Sequence, residues 1–287
     1  MYKKEDVCAV IVSYNCDEII KENIMSLKEQ VAKTLIVDNA SSVDSINIIN
    51  MFCNDACVVV IYNKQNEGIG RGLNQGLAYA HDNGYKLILT MDQDTILDKE
   101  AVQRMLDVIN TDRTISSVGP VYQIRKNNSL RKRLYSKAAY LITSGNLTYV
   151  DKALEAGGYN EALFLDSVDF DFSLALRSNG GYLAIVHQSF MKHKIGEKET
   201  AKFLLFKFEI LSHSPERHYY IYRNHVYILK KYFFKYPYLC SKKQLALIIH
   251  TLQVLLIQAN KREIIALSVR GLKDGINNKF GKLTMNN

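Results

Sequence analysis

At 287 residues with 47% apolar side chains, the chain has enough material for one large domain, or for one domain with an appendage, and enough apolar content for a core. Its net charge of +8 is uneven: residues 201–287 hold 15 Lys and Arg against 4 Asp and Glu, whereas the first 200 hold 22 against 25. A basic, aromatic C-terminal stretch suggests a surface that meets anionic lipid or a polyanion; nucleic acid is disfavoured, because the basic residues lie among apolar helical segments and form no recognisable nucleic-acid motif.

Residues 7–12 form a continuous β-prone run, the pattern of a strand buried on both faces of a parallel sheet. Ser13-Tyr14-Asn15 ends it, and the run is too short for a signal peptide. Ile19, Ile20, Ile24 and Leu27 then recur at helical spacing. A second strand, 34–37, ends in Asp38-Asn39-Ala40-Ser41-Ser42, so a right-handed β-α-β unit places two polar strand tips on one edge. Asp38 and Asn39 can bond a base edge or a ribose hydroxyl; the alternative is an Asx-turn before a helix capped by Ser41 or Ser42. A helix to about Cys53 and a third strand, 58–62, follow. Residues 63–76 carry Gly68, Gly70, Gly72 and Gly76 without the dinucleotide-binding spacing. Gly68 and Gly70 would let a ligand approach the backbone, and the next helix N-terminus favours phosphate, with Arg71 and Asn74 in reach. An ordinary β-α turn explains the same residues.

A fourth strand, 85–91, climbs to Asp92-Gln93-Asp94. At a strand end, residues two apart face the same way, so both carboxylates can meet one hard cation, Mg²⁺ or Mn²⁺. A helix over 97–109 and a strand over 117–121 come next, then a basic loop over 125–137. A strand over 140–143 ends in Ser144-Gly145-Asn146, small polar residues that admit a sugar or phosphate. After a short helix, 152–157, residues 163–172 set Asp166, Asp169 and Asp171 among large apolar groups. Such surroundings raise a carboxyl pKa, which suits a general base. With a helix from Val168, only one of Asp169 and Asp171 can face a site, and the other can cap the helix. His193, after a strand over 182–186, is a candidate third metal ligand. From 199 onward the chain turns aromatic and basic. Seven tyrosines lie between His218 and Tyr238 around Arg223-Asn224, the signature of an interfacial amphipathic helix or of an ordinary packed one. One or two further helices complete the chain. The longest apolar run, 245–257, includes His250, Thr251 and Gln253 and falls short of the roughly 20 residues that span a bilayer. Five cysteines without a C-x-x-C pair read as reduced thiols of a cytosolic protein.

As an ordered set, Val-Ser-Tyr-Asn at 12–15, Val-Asp-Asn-Ala-Ser-Ser at 37–42, Asn-Glu-Gly-Ile-Gly at 66–70, Met-Asp-Gln-Asp-Thr at 91–95, Ser-Gly-Asn at 144–146, Val-Asp-Phe-Asp-Phe at 168–172 and Tyr-Arg-Asn at 222–224 resemble glycosyltransferase family 2. The nearest likeness is to bacterial rhamnosyltransferases of O-antigen and capsular polysaccharide assembly. The resemblance implies a GT-A fold over residues 1–200: a Rossmann-like, mostly parallel α/β sheet flanked by helices. A helical, membrane-proximal extension would occupy 201–287. It also implies inverting sugar transfer from a nucleotide-sugar. Ser13, Asn15 and Asp38 would then border the nucleotide, while Asn66, Gly68 and Asn74 line the donor. Asp92 and Asp94, with His193, would hold Mg²⁺ or Mn²⁺. Ser144, Gly145, Asn146 and Asp166 would shape the sugar or acceptor pocket, and Asp169 would be the base. The family often has Glu-Asp where Val168-Asp169 stands, which keeps Asp166 and Asp171 as alternatives. Expected partners are dTDP-rhamnose or another hexose donor, such as a galactofuranose, glucose or galactose nucleotide. The expected acceptor is a lipid-linked oligosaccharide on the cytoplasmic leaflet, with the enzyme peripheral on the inner face of the plasma membrane; a homo-oligomer is left open. A nucleotidyltransferase would need a glycine-rich basic loop where Ser13-Tyr14-Asn15-Cys16-Asp17 stands, and a non-catalytic scaffold would not need the three aspartates.

Overall fold

The computed structural model describes residues 1–122, 133–193, 198–203, 206–211, 213–258 and 260–284, with side chains at all of these except 193–211 and 257. The chain divides into two units: residues Met1–Glu161 with Val168–Lys194, and Ala162–Ser167 with Ile195–Asn287. The sequence boundary was set at 200/201; the second unit begins slightly earlier and also takes the loop 162–167.

In the first unit, strand β1 (Val7–Ser13) is buried along nearly its whole length. It pairs parallel with β2 (Lys33–Asp38) on one side and β4 (Leu87–Asp92) on the other. Helices cover both faces of such a sheet, so the strand needs apolar residues in both directions. After β2, helix α2 (Val43–Asn50) leads to β3 (Val58–Tyr62) further out. Helix α3 (Ile69–Asp82) then carries the chain back across β1 to β4. The resulting order β3-β2-β1-β4 reverses its winding between β1 and β4. Beyond β4 the sheet is mixed. Strand β8 (Asn146–Tyr149) runs antiparallel to β4 and to β6 (Ile115–Tyr122). Strand β9 (Tyr182–His193) runs parallel to β6, and β5 (Thr95–Leu97) and β7 (Tyr135–Ala138) are antiparallel to β9.

The glycines of α3 have a packing role. A Cβ at Gly72 would stand 2.8 Å from Val12 Cγ1, one at Gly76 would overlap Val10, and one at Gly70 would stand 2.9 Å from the Asn160 carbonyl oxygen. The close approach expected of a ligand at Gly70 is made by the protein's own backbone. Gly76→Ala should therefore cost about 1–3 kcal/mol by overpacking, read as a drop of several degrees in melting temperature.

Several local expectations are corrected. Residues 140–143 form no strand; the strand begins at Asn146, after the small polar residues. Leu97, where the helix was expected to begin, ends strand β5 (Thr95–Leu97), and helix α4 (Ala101–Thr111) starts four residues later. Of the expected basic loop, 123–132 lies outside the described residues and 135–138 is strand β7.

The second unit opens on a hairpin, β10 (Lys198–Phe203) with β11 (Phe206–Leu211), where only helix was expected. Helices α7 (Pro215–Tyr232), α8 (Pro237–Ile257) and α9 (Lys261–Ile276) follow. Ser214 caps α7 by accepting from the Arg217 N–H at 3.3 Å, and Pro215 fits the first turn. Tyr219, Tyr220, Tyr222 and Tyr232 are buried, so of the two readings of 218–238 the packed helix describes α7. The rings surround Arg223, whose guanidinium lies 5.3 Å and 5.0 Å from the centres of Tyr219 and Tyr220. Arg223 donates to the Leu163 and Gly281 carbonyls at 2.7 and 2.6 Å. Asn224 Nδ2 donates to the Leu163, Leu165 and Asp166 carbonyls. These bonds hold a loop in which Phe164, Asp166 and Ser167 all have positive φ, at 62°, 59° and 62°. Each such residue costs of order 1 kcal/mol and persists only where its surroundings fix it. That is the physical role of the Tyr-Arg-Asn motif in this unit.

His213, His218 and His250 form a second polar cluster there, with ring centres 5.2–6.2 Å apart. Burial, then the neighbouring histidines and Arg217, push the His218 pKa down to about 4; burial and Arg217 do the same to His213. Asp166 pulls His213 and His250 the other way. The unfolded chain takes these protons near pH 6.5 and the fold resists them, so the stability is whole above that pH and is lost as pH falls toward 4. On the order of 2 kcal/mol should disappear over that window, seen as an acid-sensitive melting temperature that His218→Phe flattens.

Candidate functional site

In a doubly wound sheet, ligands lie outside the carboxyl ends of the strands where the winding reverses. Here that point is the edge shared by β1 and β4. Asp92 ends β4 opposite Val12, and Ser13 ends β1 opposite Asp38, the last residue of β2. Three of the residues singled out in the sequence therefore lie side by side for a reason of topology.

A hydrogen-bonded rim surrounds them. Asp38 is buried, and its two carboxylate oxygens accept from the Ser41 hydroxyl at 2.5 Å and the Ser41 N–H at 3.0 Å. The Asx-turn alternative thus describes what Asp38 does in this structure, and Ser42 is the N-cap residue of α2. Asn15, at φ 50°, donates its N–H to Ser41 Oγ and accepts from the Ser42 N–H. Asn39 donates its N–H to the Ser13 carbonyl and its side-chain amide to the Gly68 carbonyl. Gly68, at φ 84°, donates to Asn66 Oδ1 at 2.9 Å and starts α3. Ser13, Asn15, Asp38, Asn66 and Gly68 are thus tied together. Asn74 is not among them. Its amide donates to the Tyr159 carbonyl and to Glu161 Oε1, and accepts from the Tyr159 N–H, all at 2.8 Å.

The Asp92-Gln93-Asp94 turn is gripped from three sides. Asp92 N–H donates to Ser144 Oγ at 3.1 Å, and Ser144 donates on to Thr95 Oγ1 at 2.6 Å. Asn23 of α1 (Ile19–Leu27), fully buried, donates to the Asp92 carbonyl at 2.7 Å. Gln93 accepts from the Tyr14 N–H at 2.9 Å and donates back to the Tyr14 carbonyl at 3.3 Å. The residue between the two carboxylates therefore fastens the β1 loop. Asp94 precedes Thr95, whose backbone lies opposite His193. That sets Asp94 and His193 at one strand end; the His193 side chain lies outside those described. Burial raises the Tyr122 phenol pKa, and the negative charge of Asp94 adds to it.

Ser144 thus supports the turn directly. Gly145, at φ 74°, donates its N–H to the Thr90 carbonyl at 2.8 Å, in a space where a Cβ would meet Pro120 at 2.6 Å. Asn146 is buried in a hydroxyl network with Ser117 and Thr148 and serves the sheet.

Among the described residues no group of three His, Cys, Asp or Glu could hold a metal ion. Two carboxylates on one turn still fit Mg²⁺ or Mn²⁺, which bind through one or two carboxylates and complete their shell with substrate phosphates and water.

The three aspartates of the second acidic stretch separate clearly. Asp166 belongs to the second unit and pairs with Arg217 at 3.1 Å. Asp171 is buried inside α6 (Val168–Ser178). Asp169 is half-buried on the first turn of that helix, its Oδ1 accepting from the Phe170 N–H at 2.7 Å. One turn further, Ser173 bonds both the N–H and the carbonyl of Leu141. Thr143 and Ser144, two and three residues on, bond Thr90 and Asp92 of β4. A four-residue segment, 141–144, therefore joins the helix of Asp169 to the strand of Asp92. Phe172 stacks on Tyr159 at 4.1 Å, which connects α6 to the loop that Asn74 holds.

Asn23 and Gln93 were missed in the sequence. Asn23 had a signal, a polar residue on the apolar stripe of α1; Gln93 had none.

The sequence profile described as Glycosyl transferase family 2 matches residues 8–164. A protein of Shigella flexneri named dTDP-rhamnosyl transferase RfbF is 28% identical over 94% of this chain and 95% of its own length. The mannosyltransferase PcManGT of Pyrobaculum calidifontis, solved with GDP-Man and Mn²⁺, superposes with TM-score 0.60 at 12% identity, covering 96% of this chain and 74% of that one. TarS of S. aureus, solved with UDP-GlcNAc, superposes with TM-score 0.58 at 16% identity, covering 94% and 80%. Both superpositions show the GT-A type of fold.

Proposed function

The chain belongs to the family-2 glycosyl transferases, and from that premise we propose that it moves L-rhamnose from dTDP-rhamnose onto a lipid-linked or growing polysaccharide, inverting the anomeric centre. The activity class, glycosyl transfer, is that of the family. The choice of rhamnose is carried by one observation: end-to-end similarity to a protein named as a dTDP-rhamnosyl transferase.

In this reading the nucleotide lies along Ser13, Asn15 and Asp38, and the diphosphate meets the Asp92-Gln93-Asp94 turn at the reversal of the sheet. Asp92 and Asp94 would hold Mg²⁺ or Mn²⁺, with His193 as a further candidate; the Mn²⁺ in the mannosyltransferase neighbour supports this. A bound ion would neutralise the charge gathering on the departing diphosphate. Asp169 takes the proton of an acceptor hydroxyl. That oxygen forms a bond to the anomeric carbon from the face opposite the diphosphate. The bond to the diphosphate breaks, and its electron pair leaves with the phosphate oxygen. Asp166 is already engaged by Arg217, and Asp171 is buried inside its helix, out of reach of an acceptor hydroxyl. The acceptor is proposed to be lipid-linked on the cytoplasmic leaflet.

A panel of nucleotide-sugars including dTDP-rhamnose, UDP-GlcNAc and GDP-mannose, incubated with and without Mn²⁺, tests the reading. Metal-dependent release of dTDP alone is expected; preferred release of UDP or GDP replaces rhamnose by another hexose.

A further inference from the structure

Helix α7 packs its tyrosines inward, but α8 carries an outward apolar stripe. Leu245, Ile248, Ile249, Leu252 and Leu256 recur every three or four residues and are 47–58% exposed. Tyr238 and Phe234, 76% and 96% exposed, continue the stripe past the start of the helix. The opposite side of α8 is fixed. Cys240 and Val254 are buried, Thr251 bonds the Tyr222 hydroxyl, and Gln244 bonds His225, both at 2.5 Å. The helix therefore cannot rotate to hide the stripe. Its outward side is nonetheless apolar, which a helix facing only water is not. A cleft of about 600 Å³ opens beside the stripe, lined by Leu229, Phe233, Phe234, Leu245 and Ile248.

We propose that this stripe lies in the plane of an anionic phospholipid surface, with the cleft beside it receiving an acyl chain. Charge decides the occupant. Lys230 is taken up by the carbonyls at the end of α9, and residues 231–262 contain six further Lys and Arg and no Asp or Glu. A second copy meeting the same face across a two-fold axis would set this array against itself. Anionic headgroups satisfy it, while the apolar stripe sinks to the acyl boundary. No helix among the described residues is long and apolar enough to cross a membrane, so the contact is in-plane. The proposal deepens the lipid-linked acceptor of the preceding reading, yet its observations lie in α8 and the residues flanking it, and use none of the aspartates.

Flotation of the full chain with vesicles tests it without donor or acceptor. The protein should float with phosphatidylcholine vesicles containing about a third phosphatidylglycerol, less so at high salt. Ile248→Ser with Leu252→Ser should weaken binding about tenfold or more, and Lys235→Glu with Lys242→Glu about as much, at unchanged melting temperature. Turnover on a water-soluble acceptor should be the same in all three proteins, so failure here is distinguishable from failure of the proposed reaction. The proposal is overturned if the native chain does not float, or if both variants float as well as it does. It is also overturned if the serine variant converts a dimer to a monomer while vesicle binding stays unchanged.

Discussion

Asp169→Asn is expected to lower the rate of sugar transfer by about a hundred- to ten-thousand-fold while donor affinity stays within a factor of about two. Asparagine keeps the size of the side chain and can still accept from the Phe170 N–H, so the first turn of α6 keeps its geometry. It cannot hold the acceptor proton. A loss confined to kcat is the mark of a group that acts in the transition state and does not bind the ground state. Asp166→Asn makes the contrast. Its carboxylate is engaged by Arg217, and it should cost less in turnover than in the stability of the 162–167 loop. Pre-steady-state transfer to acceptor, set beside equilibrium donor binding, checks both. If Asp169→Asn turns over normally, the base lies elsewhere.

Asp92→Asn and Asp94→Asn should each reduce Mn²⁺-dependent turnover by about two orders of magnitude or more, with part of the loss recovered at high Mn²⁺. Removing either charge weakens the attraction for a divalent ion, while the amide oxygen remains a poor ligand. The substitutions should not unfold the protein. Ser144 and Asn23 hold Asp92 by its main chain, and Gln93 holds Tyr14 by its own side chain; none of these bonds uses the altered groups. Melting temperature, measured beside the Mn²⁺ titration of turnover, separates loss of ion from loss of fold.

The half of the sheet read most easily was the half built from consecutive parallel crossovers. Residues 7–12 and 35–37 are continuous apolar runs, because a strand covered by helices on both faces needs no polar side, and 58–62 is an apolar, β-branched run at the edge beside them. The tips of β1, β2 and β4, namely Ser13, Asp38 and Asp92, were legible because each closes such a run. The mixed half was not. Thr95–Leu97 is three residues long and exists as a strand only through β9, whose partner residues are about a hundred positions away. Asn146 looked like a loop residue that a sugar could touch, but its amide is consumed by Ser117 and Thr148 across a sheet that no local pattern announces. The tyrosines of α7 left two readings open. Their composition suits a membrane interface equally well, and only packing against Arg223 and α9 decides that they are buried. The low-contrast run at 245–257, passed over because it was too short to span a bilayer, is the one that keeps an apolar face in solvent.

Calorimetric titration of metal-free protein with dTDP-rhamnose, repeated after adding Mn²⁺, is the most direct measurement. Binding at least about tenfold tighter with the ion, and insensitive to it in the Asp92→Asn, Asp94→Asn double variant, is the expected result. Equal affinity with and without Mn²⁺ in the native chain, or an ion effect that survives in the double variant, would contradict a donor held through the carboxylates at the end of β4.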